Sequence, residues 1–157
     1  MATMAKRLCF LWIVLMTAMP AARAAQLQTF ERGQVVIETP GGSQEIAVEL
    51  AVTPDQRAQG LMFRRNLGGE EGMLFLYPAD RVATMWMKNT LIPLDMLFIA
   101  SDGRVLRVAE RTVPQSTETI SSEEPVRAVL ELNGGTAARL GIAAGAVVRL
   151  PASAAQN

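Results

Sequence analysis

Hydrophobic and polar positions alternate in short runs along most of the chain, and these runs predict strands rather than long helices. Val35 to Glu38 reads as a short strand, Pro40-Gly41-Gly42-Ser43 as a turn, and Glu45 to Leu50 as a second strand with Ile46, Val48 and Leu50 on one face. Thr53-Pro54-Asp55-Gln56 joins a threonine N-cap, a proline at the first helical position and a glutamine three residues after the cap, which predicts a short helix ending at Gly60. Met73 to Tyr77 is an apolar run of strand length that Pro78 is expected to stop.

Thr84 to Met87 and Met96 to Ala100 predict two further strands, linked through Asn89 to Asp95. Asp102-Gly103 marks a hairpin into Arg104 to Glu110, and Val113 to Pro125, rich in Ser, Thr, Glu and Pro, reads as a long surface connection. Val126 to Leu132 alternates again, Gly134-Gly135-Thr136 introduces a helix of one or two turns ending at Gly141, and Ala146 to Leu150 is the last strand. Seven or eight short strands with turn signals between them predict a mainly β chain. The expected architecture is a single-domain β-sandwich or partly closed barrel with two short helices. No long amphipathic helix is present to cover a parallel sheet, which disfavours a doubly wound α/β fold.

The amino-terminal stretch follows a different pattern. Lys6 and Arg7 form a positive n-region, Leu8 to Ala18 an apolar h-region, and Ala22-Arg23-Ala24 an A-x-A cleavage site after Pro20. The expected organisation is a signal peptide over 1–24, a lead-in with the first strand over 25–45, the β domain over 46–151 and a tail over 152–157. The h-region is short for a membrane span, so the expectation is export to the periplasm or medium with no membrane contact after cleavage.

Removal of the leader leaves 12 basic against 15 acidic residues, a net charge of −3, which gives no hint of nucleic acid as a partner. The one cysteine, Cys9, leaves with it, and the chain has no histidine. Disulfides, thiolate nucleophiles, zinc sites built on Cys or His, and Ser-His or Cys-His triads are therefore excluded by inventory.

Thr84 to Ile99 sets Lys88, Asn89 and Asp95 in an almost wholly apolar run, where an unpaired buried charge costs several kcal/mol or more. Lys88 and Asp95 are seven residues apart, so a turn over Leu91 to Leu94 would let them meet as a buried pair clasping that turn. Alternatively, Lys88 is desolvated beside Trp86 and serves as a base, nucleophile or anion ligand. Arg64 either joins Lys88 in a cationic pocket for a carboxylate or phosphate, or pairs at the surface with Glu70 or Glu71. Met85 and Met87 offer thioethers suited to Cu(I), but methionine more often fills core gaps and the ligand set is thin, so no metal is expected.

Four blocks carry a family resemblance: Gly60-Leu61-Met62-Phe63-Arg64, Gly72-Met73-Leu74-Phe75, Trp86-Met87-Lys88-Asn89-Thr90 and Pro93-Leu94-Asp95. With Val129-Leu130-Glu131-Leu132 and Leu140-Gly141-Ile142, they resemble the DUF192 family of domains of unknown function, from about Ala47 to Leu150. The resemblance implies one small β-rich domain, often exported, with no established activity. Met85 stands where the family pattern leads one to expect an aromatic residue.

The reading that follows is a monomeric module binding a small molecule or a protein partner, with no cofactor. Its candidate site is a cleft around Met62, Arg64, Trp86, Lys88, Asn89 and Asp95, where polar groups converge on an aromatic-lined apolar region. Two alternatives stand beside it: an enzyme using Lys88 with Asp95 as its orienting partner, and a structural or assembly protein with no ligand site.

Overall fold

The computed structural model describes residues 27–151, so the expected leader and tail lie outside the described residues. The strands are β1 (Glu31–Thr39), β2 (Gly42–Ala51), β3 (Glu71–Met85), β4 (Leu94–Ile99), β5 (Val105–Ala109), β6 (Ile120–Asn133) and β7 (Val147–Arg149). Two short helices, α1 (Pro54–Gln59) and α2 (Thr136–Leu140), complete the fold. One sheet holds all seven strands in the order β5-β4-β6-β3-β2-β1-β7. Only β2 and β3 run parallel, and α1 with its following loop supplies the crossover they need.

The sheet curls into a half-barrel whose edges touch at one end, where Arg104 bridges Val147 and the Val148 amide donates to the Gly103 carbonyl at 2.7 Å. Alternation along the strands gives each face its own core. Val35, Ile37, Ile46, Val48, Leu50, Leu74, Leu130 and Val148 belong to the cluster inside the curl. Met73, Phe75, Met87, Leu94, Met96, Phe98 and Val129 form a second cluster on the opposite face of the central strands, roofed by loop residues such as Leu61 and Ile92. Every residue of β4 is consequently buried.

Two boundaries differ from the sequence reading. Pro78 does not end its strand: β3 runs on to Met85, past an irregularity in the β3–β6 register between Leu76 and Arg81. A proline is tolerated there because the broken ladder asks for no N–H. The second half of the expected Val113–Pro125 connection is likewise strand, since Ile120 to Pro125 pairs with Val82 to Met85. Ser122 makes this possible: its hydroxyl accepts from the Ala83 amide at 2.9 Å and donates to the Glu124 carbonyl at 2.6 Å, beside Glu123 at φ 66°.

The first helix forms as its capping sequence dictates. The Thr53 hydroxyl accepts from the Gln56 amide at 3.2 Å, and the Gln56 side chain accepts from the Thr53 amide at 3.0 Å.

Candidate functional site

Three loops meet at one end of the central strands and are stitched together by backbone hydrogen bonds. The Phe63 amide donates to the Asn89 carbonyl at 2.9 Å, Gln115 to Thr90 at 3.0 Å, and Met87 to Ser116 at 3.0 Å. Phe63, Asn89, Arg111 and Gln115 all hold a positive φ here, the left-handed region that side chains with a Cβ avoid at a cost of about 1 kcal/mol or more each. Phe63 is 57 % exposed and Trp86 47 %, so this end also presents aromatic surface to solvent.

Beneath the loops lies a cleft of about 260 Å³, its open mouth included. The last turn of α1 and its exit, Arg57 to Met62, form one wall, Met85, Trp86 and Thr90 another, and Phe75 of β3 and Glu131 of β6 the floor. Strand register explains the floor: Glu131 is opposite Met73 on one neighbouring strand and Met96 on the other, so its carboxyl rises between two methionines. Glu131 is 4 % exposed, and among the described residues its carboxyl has no hydrogen-bond or ion-pair partner. Among the described residues no side-chain N or O atom that is wholly shut off from the surface lacks a partner. Burial pushes the Glu131 pKa up from the ordinary 4.5 to about 8, which leaves it a neutral acid at pH 7.

Tyr77 stands close by and its hydroxyl approaches the Met85 sulfur at 3.7 Å. Burial raises its pKa, the guanidinium groups of Arg81 and Arg57 oppose that, and Glu131 adds to it. Both arginines lie over the Tyr77 ring, at 5.4 and 5.5 Å from its centroid. Arg57 also donates to the carbonyls of Val52 and Leu76, so its charge is committed to the helix and strand ends.

The residues singled out from the sequence divide among several environments. Met62 and Trp86 line the cleft. Asn89 takes a left-handed turn position and donates to the Met62 sulfur at 3.8 Å. Lys88 is exposed and sits over the Trp86 ring, 5.1 Å from its centroid. Arg64 pairs with Glu49 rather than with Lys88, Glu70 or Glu71, and lines a separate, more polar groove with Arg32, Glu49 and Glu71.

The expected clasp between Lys88 and Asp95 does not form. Asp95 is fully buried and accepts three backbone amides: Arg111 at 2.8 Å, Gly135 at 2.9 Å and Ala137 at 2.8 Å. It thereby caps α2 from another strand, which the helix needs because its own N-cap position is Gly135, at φ 92° and without a side chain to do so. Met87 is also withdrawn from any shared metal site, since it is buried with its sulfur accepting the Thr112 hydroxyl at 3.1 Å.

Glu131 is the residue the sequence reading passed over. The signal was present: a carboxylate stands in Val129-Leu130-Glu131-Leu132, the same misfit of charge and apolar run that drew attention to Lys88 and Asp95.

A model of the DUF192 family, described as "Uncharacterized ACR", matches residues 19–150. Among curated proteins nothing matches. Two solved structures are similar. One, from Sinorhizobium meliloti and provisionally described as a transcription regulator, is 47 % identical, with a TM-score of 0.76 over 79 % of this chain and 97 % of the other. The second, a protein of unknown function from Novosphingobium aromaticivorans, is 44 % identical, with a TM-score of 0.74 over 76 % of this chain and 85 % of the other.

Proposed function

We propose, from the premise that the chain belongs to the DUF192 family of uncharacterised proteins, that it is an exported binding module whose site is the cleft floored by Glu131. One observation carries this reading: a carboxyl buried between Met73 and Met96 at the floor of a cleft, with no partner among the described residues. Burial takes most of its water from this carboxyl, and a ligand that supplies a partner would offset that desolvation. Met62, Met85 and Trp86 are suited to the apolar part of such a ligand, because thioethers and an indole adapt to varied shapes. Lys88 and Asn89 hold two of these walls from outside, the first against Trp86 and the second against Met62.

The enzymatic alternative lacks its orienting group, because Asp95 is committed to three amides and Lys88 stands in solvent. Nor does a regulator that reads DNA find support in this chain. The two helices among the described residues have six and five residues, and the chain beyond the expected leader is acidic.

The reading is tested by screening small molecules by NMR on the folded protein. Binding is expected to shift the Trp86 indole and Met62 methyl signals and to weaken in Trp86→Ala. Ligands that gather instead in the Arg32–Arg64 groove, or an absence of hits, would sink it. Export is tested by fractionating expressing cells, with mature chain beginning at Ala25 as the expected outcome.

A further inference from the structure

The Glu131 cleft specifies more than apolar shape. We infer that it takes a small primary ammonium compound with a short apolar body, and that docking drives the carboxyl proton of Glu131 out to solvent. This rests on the proposed binding site and names its ligand class.

Charge and geometry around the carboxyl support this class. From α1 the cleft receives Arg57, already committed to two carbonyls and the Tyr77 ring. From β3 it receives the neutral Phe75 and Met85, with Tyr77 outside the lining and Arg81 stacked on its ring, and β4 places the neutral Met96 opposite Glu131. From the loop after β3, Lys88 covers the Trp86 ring at the rim. No cation therefore forms an ion pair with Glu131 among the described residues, although an indole that already holds one ammonium forms the mouth.

An anionic ligand would meet an acid with no unoccupied guanidinium to offset it. A neutral one would leave the acid protonated and its desolvation unanswered. A divalent metal would want further donors, and no cluster of three carboxylate, cysteine or histidine ligands exists among the described residues. An ammonium group answers the carboxyl directly, and its compact charge suits a single acid better than the wide fork of a guanidinium does. Only about 30 Å³ of the cleft is enclosed, room for the ammonium head alone, so a short apolar body would lie at the mouth against Met62 and Trp86.

The proton balance is simple. The ligand enters as R–NH3+, the O–H bond of Glu131 breaks, the electron pair stays on the carboxylate, and one proton leaves through the mouth. The bound state is an ammonium–carboxylate pair shielded from water. The buried acid titrates near pH 8, so below that value each binding event releases about one proton, and above it almost none.

The experiment is calorimetry on the full chain, with n-butylammonium as probe and n-butanol as its neutral counterpart. Buffer pairs that differ in ionisation heat, phosphate and HEPES at pH 6.5 and borate and CHES at pH 9, reveal proton release. The expected result is preference for the amine, release of about one proton at pH 6.5 and close to none at pH 9. Affinity should rise about tenfold per pH unit up to pH 8. Glu131→Gln is expected to lose at least tenfold in affinity and the pH slope with it, its fold checked by near-ultraviolet circular dichroism. The pH profile of the unaltered protein serves if that variant does not fold. Butanol binding as well as butylammonium in the cleft, without proton exchange, overturns the ammonium inference and leaves the binding site standing. Failure of both probes and of the wider screen removes the two together.

Discussion

Asp95 and Glu131 are both acids buried in central strands, one register step apart, and they have opposite fates. Asp95 pairs in register with Leu132 and Glu131 with Met96, so the two carboxyls leave the same strand pair toward opposite faces of the sheet. Asp95 meets three backbone amides and becomes the cap that α2 lacks. Glu131 meets methionines and an open cleft. Burial alone therefore says little about an acid's role. What distinguishes a structural carboxylate from a site is whether the fold itself supplies the donors.

The largest effect that tests this contrast is expected at Asp95. Asp95→Ala strips three amides of their acceptor at once and should cost about 4 kcal/mol in urea unfolding, with Asp95→Asn costing less because one oxygen remains. A loss below about 1 kcal/mol would mean that water or a shifted helix replaces the cap.

For Glu131 the expectation is a pH effect of roughly 4 kcal/mol. The unfolded acid ionises near 4.5 and the folded one near 8, so between those values the folded state retains a proton that the unfolded state gives up. Stability should therefore fall as pH rises from 5 to 9, and Glu131→Gln should abolish that decline. The chain has no histidine, so the window is otherwise nearly silent. Parallel pH profiles for the two proteins would refute the contrast.

Gly72→Ala probes the packing on the Asp95 face, since Gly72 and Asp95 both pair with Leu132. The new Cβ would come 2.6 Å from the Glu131 carbonyl oxygen, so about 2 kcal/mol of stability should be lost while the Asp95 cap remains intact. Amide exchange of Ala137 reports that cap directly. Slow Ala137 exchange in a destabilised variant is the expected result, and fast exchange would show that strain in the strands reaches the cap.

The smallest effect belongs to Lys88. Lys88→Met removes an exposed cation from the Trp86 ring and should change stability by less than about 1 kcal/mol. A loss of several kcal/mol in thermal unfolding would restore the clasp with Asp95.

Local chemistry made part of this molecule legible in its sequence. The capping box at Thr53 and Gln56, the β1–β2 hairpin and the mainly β character each rest on neighbouring residues and appear where expected. The partners of Asp95 do not, because Arg111, Gly135 and Ala137 are 16, 40 and 42 residues away and contribute only backbone amides, which carry no residue signature. Pro78 misled for a related reason: a proline ends a regular strand, and only the tertiary register shows that this one sits in a break. Met62 and Trp86 were placed together by sequence and lie together in the cleft, whereas Arg64 is drawn into the neighbouring groove by Glu49.

The pairing of β1 with β7 has a bearing on how the chain comes into being. Among the described residues the first strand meets the last, with Val36 opposite Arg149, so during synthesis from the amino terminus β1 can zip onto β2 early but keeps its other edge bare until residue 149 has emerged. Closure is thus a late event by construction, and contacts so distant along the chain make slow folding the rule. In that interval the open edge is a template for another chain, and a helper that holds the chain extended until residue 149 is free would do more for its yield than any single core substitution.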